Sequence, residues 1–412
     1  MNLHGPDEPV FLPQGFLWSA TKAGIKASGR PDVALAEAPL GAAAAAMFTR
    51  NRVVAAPVEV GRANLRKNHG HVRAVLVNAG NANCATGAPG LAVARQSCAA
   101  LAVALEAAPH FIIPSSTGII GVPLPVEKLV AAVPSVVESR ANTAEALKSF
   151  ATAIMTTDTR MKLASAEFSV GKKTVRIAGV CKGSGMIHPN MATMLVYLFT
   201  DLDAEPKELQ SALKTAVDTT FNVISVDGDT STNDTVLLLA SGTSKVKLAA
   251  AGVANNAANN APKKFEEALH AVCASLAEQV VRDGEGAKHL VRLQIKQAKS
   301  LNEARTIARS IANSPLVKTA WAGCDPNWGR ILSSVGKSGV AVNPSKINIF
   351  FGPQQLCKNG TAHPFDERLA HEYLKQPEYE ISVELGRGCI SLEFLTCDLT
   401  HEYVSINADY ST

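Results

Sequence analysis

The sequence contains no CxxC pair, no apolar run approaching the roughly 20 residues of a membrane helix, and no basic stripe interleaved with aromatics. Each absence removes a class. Eight scattered cysteines in 412 residues form neither a disulfide frame nor a zinc site, and read as reduced, mostly buried small residues. A net charge of only +4 leaves no nucleic-acid footprint. The first residues, MNLHGPDEPVFLPQGF, carry Asp7, Glu8 and prolines instead of a basic stretch before an apolar core, so no signal peptide is expected. The expected location is the cytoplasm, away from membranes.

What is present points to a globular α/β or α+β chain: 47% hydrophobic, 18% charged, and long enough for two or more cores. Period-2 and continuous apolar runs predict strands at 73–78, 194–200, 235–240, 291–296, 346–351, 380–385 and 390–395. Amphipathic spacing predicts helices at 91–107, 143–155, 206–220, 265–281 and 301–313, with Asn142 as a cap and Pro206 at a first helical position. The Ala/Asn-rich stretch 248–262 reads as a loop insertion. Strands are expected to dominate from about Ala287. That divides the chain into a catalytic region, 1–286, and a C-terminal α/β domain, 287–412.

The informative segment is KGSGMIHPNMATML, residues 182–195. Two glycines permit backbone shapes closed to other residues, and Pro189 biases His188 toward an extended conformation. Thr193 then opens an apolar strand. A threonine hydroxyl is a weak nucleophile and needs a base. If the Ala192–Thr193 bond breaks, the threonine's own α-amine is freed. Its pKa of roughly 7.7–8.0 leaves it largely neutral near physiological pH and within reach of its hydroxyl. Taken alone, Thr193 reads as an ordinary half-buried strand residue, and the spacing by itself does not overturn that reading.

The segment resembles the cleavage and nucleophile signature of the ornithine acetyltransferase family, also called glutamate N-acetyltransferases. Further blocks in the same order extend the resemblance over nearly the whole chain: GIK at 24–26, FTRN at 48–51, NAGNANCATG at 78–87, SSTGIIG at 115–121, MTTDT at 155–159, VDGDTSTND at 226–234, DGEGA at 283–287 and DPNWGRI at 325–331. The resemblance implies a layered αββα sandwich of the self-cleaving N-terminal-nucleophile kind, with a smaller C-terminal unit. It implies autocleavage between Ala192 and Thr193 into an α chain, 1–192, and a β chain, 193–412, which stay together in an α2β2 assembly. The reaction implied is a ping-pong transfer of acetyl from N-acetylornithine to glutamate in arginine biosynthesis. Acetyl-CoA is a second donor to be considered, and no cofactor or metal is expected.

The same resemblance assigns site residues. Thr193 is the nucleophile, and Thr117 and Gly118 form the oxyanion hole. Thr156, Lys182, Thr193, Glu285, Asn407 and Thr412 contact substrate. Without the family, Thr117 and Gly118 would read as a turn, Lys182 as a solvated lysine, Glu285 as a loop acid and Thr412 as part of a frayed end. Asp227, Asp229 and Asn233 lack the register of a calcium loop and are expected to make structural hydrogen bonds. His188 is expected to be structural, and Asn78, Asn81 and Asn83 to shape a loop behind the site. Two other readings stay open: a related self-cleaving hydrolase or aminopeptidase, and a non-catalytic amino-acid-binding homologue.

Overall fold

A computed structural model describes residues 1–188, 194–248 and 260–409. Thr193, Ala192 and Thr412, together with most of the 248–262 insertion, lie outside the described residues.

The element that organises the molecule has no counterpart in the sequence reading. Val33–Phe48 is a 16-residue strand, VALAEAPLGAAAAAMF. Alanine favours helix intrinsically. Here Pro39 and Gly41, the latter at φ +82°, interrupt any helix in the middle of the segment. Pairing on both sides then decides for strand. Val33–Glu37 lies between Leu17–Thr21 and His71–Asn81, both antiparallel. After a register shift between Glu37 and Ala42, Ala43–Phe48 pairs with Thr235–Ala240.

One nine-stranded sheet results, running Asn2–His4, Lys162–Val170, Lys173–Lys182, Leu195–Thr200, Thr235–Ala240, Val33–Phe48, His71–Asn81, Ile112–Ile119, with Leu17–Thr21 branching from the long strand. The bend lets one half of this sheet fold over the other. Trp18, Val75, Val77 and Ile113 from one half share a single buried cluster with Leu163, Val180, Tyr197, Phe199, Leu237 and Leu239 from the other. Trp18 meets Phe199 edge-on at 5.4 Å. The alternate residues Val196, Leu198, Val236 and Leu238 face outward under helices Pro206–Thr219 and Ala261–Arg282. Helices Ala56–Lys67, Gly87–Ala104 and Val126–Glu138 cover the opposite outer face through Val60, Leu101 and Leu129. The layers are helix, sheet, sheet, helix, which is the αββα sandwich. Covering both faces explains why the central strands are apolar without alternation.

A second, seven-stranded sheet has its own core, including Leu293, Ile307, Trp321, Ile349, Ile381 and Phe394. Its order is Thr361–Ala362, Gln354–Lys358, Asn348–Phe351, Glu378–Glu384, Leu290–Ala298, Ile390–Cys397, Ile224–Ser225. The expectation that strands dominate this part is corrected. Helices Leu301–Ala312, Pro315–Ala322 and Trp328–Gly336 occupy most of the stretch between Leu290–Ala298 and Asn348–Phe351.

The expected strand 235–240 is observed with those bounds, and the expected helix 206–220 appears as Pro206–Thr219. The cap at the next helix upstream differs. Thr143, not Asn142, accepts the Ala146 N–H, while the Asn142 amide donates to the Phe16 carbonyl at 2.8 Å.

Candidate active site

The strand Ile112–Ile119 runs parallel to His71–Asn81, and its end carries Thr117 and Gly118. Gly118 sits opposite Gly80 with φ +131°. A Cβ at position 118 would lie 2.3 Å from the Gly80 carbonyl carbon, so only glycine fits. Asparagines fix this corner. Asn233 donates to the Ala82 carbonyl at 2.6 Å and the Ser116 carbonyl at 2.9 Å. Asn78 donates to the Asn81 carbonyl, and Asn81 Oδ1 accepts the Asn83 N–H. Their short polar side chains satisfy backbone groups that no ladder reaches.

Facing that corner across a cavity of ≈ 230 Å³ are Thr156, Lys182, Glu285 and Asn407. Six of the residues expected from the sequence, Thr117, Gly118, Thr156, Lys182, Glu285 and Asn407, therefore wall one space, and Met194 and Leu195 line it as well. The wall also holds residues that sequence reasoning left unassigned: Thr157, Ser231, Thr232 and Asp234. They fall in the MTTDT and VDGDTSTND blocks, so block membership was the signal that could have found them.

Lys182 Nζ stands 3.3 Å from Thr156 Oγ1. It is half-buried in the cavity wall, not solvated on the surface. Burial pulls its ammonium below the ordinary lysine range, against the Asp158 and Asp234 carboxyls that push the other way. Asp234 is buried on the same wall. Burial raises its carboxyl well above the ordinary range, only partly offset by the Ser231 hydroxyl and Lys182.

Beneath Thr156 and Lys182 lies a buried charge cluster that the sequence reading did not name, although Asp158 and Asp283 fall in the MTTDT and DGEGA blocks. Lys162 Nζ is 2.6 Å from Asp158 Oδ1 and 2.6 Å from Asp283 Oδ2, with all three side chains almost fully enclosed. Asp158 also accepts the Gly183 N–H at 2.6 Å and the Thr156 N–H at 3.0 Å. Burial opposes its ionisation, but Lys162, Lys182 and these hydrogen bonds outweigh it and lower the carboxyl to about 2. Asp283 accepts the Thr159 N–H and hydroxyl.

Glu285 is held by its backbone N–H on the Ser184 carbonyl at 2.9 Å and by the Asn407 amide on Oε2 at 2.8 Å. Its carboxylate occupies the space beside Gly185. A Cβ there would sit 2.5 Å from the carboxylate atoms. Asn407 reaches the cavity from the exposed helix His401–Asp409.

His188 is placed by the C-terminal unit, since the Asn313 amide approaches its Nδ1 at 3.2 Å. Burial, with Arg309 nearby, lowers the imidazole to about 4, so it is neutral near pH 7. Asp227 spends its oxygens on the N–H groups of Met186, Ile187 and Asp229. Among the described residues no group of three or more His, Cys, Asp or Glu gathers as a metal site. No described helix is long and apolar enough to cross a membrane.

The model of the ArgJ family matches residues 17–412. The arginine biosynthesis bifunctional protein of Methylococcus capsulatus is 44% identical, over 97% of this chain and 95% of its own length. Its counterpart from Thermus thermophilus is also 44% identical, over 98% of this chain and 100% of its own. A solved structure, the ornithine acetyltransferase of Mycobacterium tuberculosis in complex with ornithine, is 36% identical and covers 46% of this chain and 100% of that one, with a TM-score of 0.41.

Proposed function

The chain belongs to the ArgJ family, and from that premise we propose that it is an acyltransferase of arginine biosynthesis that moves acetyl from N-acetylornithine to glutamate through an acetyl-Thr193 intermediate. The observation that carries the site is the convergence of Thr117, Gly118, Thr156, Lys182, Glu285 and Asn407 on one cavity that Met194, the neighbour of Thr193 in sequence, also lines.

Activation comes first. The Thr193 hydroxyl attacks the Ala192 carbonyl carbon, the peptide C–N bond breaks, and water hydrolyses the resulting ester. The products are an α chain ending in a carboxylate and a β chain beginning with a free amine. In turnover that amine takes the hydroxyl proton as Thr193 attacks the acetyl carbonyl of N-acetylornithine. The Thr117 hydroxyl and Gly118 N–H receive the oxyanion. The proton passes to the departing α-nitrogen, and ornithine leaves. The glutamate amine then attacks acetyl-Thr193, and the threonine hydroxyl is restored. Lys182 pairs with the substrate α-carboxylate, and Glu285 with the side-chain ammonium of ornithine. Thr156, Asn407 and Thr412 complete the contacts. The same reading places the enzyme in the cytoplasm as α2β2, divided into regions 1–286 and 287–412.

Incubating the purified protein with N-acetylornithine tests the reaction. Ornithine release is expected to depend on glutamate and to yield N-acetylglutamate in equal amount. Release at the same rate without glutamate would instead identify a hydrolase. Acetyl-CoA in a parallel incubation decides whether it serves as a donor.

Gly185→Ala probes the Glu285 assignment. The added methyl must push the carboxylate aside. Losing a charge-assisted hydrogen bond is expected to raise KM for N-acetylornithine by about ten- to a hundredfold. KM for an acetyl donor lacking the ammonium is expected to change much less. Equal effects on both donors would remove Glu285 from ammonium recognition.

A further inference from the structure

Residues 183–188 form the last described stretch before the Ala192–Thr193 bond, and after cleavage they belong to the end of the α chain. Two of them hold unusual backbone shapes: Gly183 at φ +156° and Met186 at φ +57°. A left-handed methionine persists only where its surroundings fix it. Gly183 is held from its own side of the scissile bond by Asp158, whereas Met186, Ile187 and His188 are held from the other side. Asp227 Oδ2 accepts the Met186 N–H at 2.5 Å, and Oδ1 accepts the Ile187 N–H at 2.9 Å. The Val226 N–H donates to the Ile187 carbonyl at 2.7 Å, where the Ser225 hydroxyl also reaches at 3.1 Å. Ile187 bridges Thr230, and Asn313 holds His188.

Within this clamp Asp227 has a distinct place. Its two oxygens take consecutive N–H groups, those of the left-handed Met186 and of Ile187. Each oxygen also takes a second donor: Oδ1 accepts from the Asp229 N–H at 3.1 Å and Oδ2 from the Tyr403 hydroxyl at 3.4 Å. Asp227 is absent from the lining of the substrate cavity, whereas Gly185 and Met186 are part of it.

We propose that Asp227 is a positioning residue for the self-cleavage step, holding residues 185–188 so that the Ala192–Thr193 bond is presented for attack. This rests on the proposed cleavage at that bond. Asp227→Asn has the same size but turns an NH2 group toward one set of donors, so the clamp loses one arm while the fold keeps its volume. A shift on the scale of 1 Å in a reacting group costs up to about a hundredfold in rate.

The test is a time course of cleavage of the full chain made by cell-free synthesis, read on a denaturing gel. Melting temperatures are read in parallel on Thr193→Ala chains with and without Asp227→Asn. The expected result is a cleavage half-time at least about tenfold longer for Asp227→Asn, with melting temperatures within a few degrees of each other. Asp227→Glu, which keeps the carboxylate but displaces it by one methylene, is expected to fall between the two. It decides the matter if Asp227→Asn does not fold. Cleavage of the variants at the parental rate overturns the role of Asp227 and leaves the cleavage reading intact. Slow cleavage with a large fall in melting temperature overturns it in favour of a purely structural role. A parental chain that is never cut overturns the cleavage reading and this proposal together.

Discussion

Thr193→Ala is expected to leave one uncut chain of 412 residues and to lower acetyl transfer on the order of 10^4-fold or more. Two functions disappear with one hydroxyl. The hydroxyl is the group that attacks the Ala192 carbonyl, and the cleavage it starts exposes the amine that later serves as base. The losses are therefore not independent, and co-expression separates them. Residues 1–192 made alongside a chain starting at residue 193 reconstitute the cut state without self-cleavage. In that format Thr193→Ala removes only the nucleophile, whereas Thr193→Ser keeps a hydroxyl, so activity is expected from the serine variant and none from the alanine variant. A denaturing gel and an ornithine-release assay read the two steps. An alanine chain that is still cut would end the self-processing account, and an uncut chain with full transfer would end the role of the amine.

The sequence carried the four-layer fold unevenly. Thr235–Ala240 was legible because a threonine followed by five apolar residues, TVLLLA, between turn-formers can be little else in a chain of this class. Val33–Phe48 was not legible. Its alanines speak for helix, and only long-range pairing with three other strands overrides them. The hairpin Lys162–Val170 and Lys173–Lys182 was missed for a different reason. Its partners are close in sequence, from Val170 with Lys173 to Lys162 with Cys181, but Lys162, Glu167, Lys173, Arg176 and Lys182 break up the apolar pattern. The site divides in the same way. Residues of distinctive blocks, such as Gly118 and Glu285, could be named only because those blocks resemble the ornithine acetyltransferase family; alone they read as a turn and a loop acid. That Lys182 is enclosed could not be known, since nothing local separates a lysine in a cavity wall from one in water.

The charge cluster under the site was the least legible part, and it carries the largest expected effect on stability. Lys162 and Asp283 are 121 residues apart, and a lysine in a strand gives no hint of enclosure. Replacing Lys162 by methionine keeps the packing volume but leaves Asp158 and Asp283 close together without their cation. Breaking a buried pair from one side costs about 3–5 kcal/mol. The cost is expected to reach the cavity too, because Asp158 holds the Thr156 and Gly183 N–H groups and Asp283 lies two residues from Glu285. The pH dependence carries its own signature. The Asp158 carboxyl is lowered from 3.8 to about 2 in the folded chain, so its contribution to stability is present above pH 3.8 and is lost as pH falls toward 2. In Lys162→Met the folded-state carboxyl rises, and that acid-side slope is expected to flatten or reverse. Denaturation curves at pH 7 and along the acid limb measure both effects. Adding Asp158→Asn and Asp283→Asn to the methionine variant removes the stranded charges and is expected to recover part of the loss at pH 7. A single Lys162→Met variant as stable as the parent at pH 7 would show that the two carboxylates do not need the lysine between them.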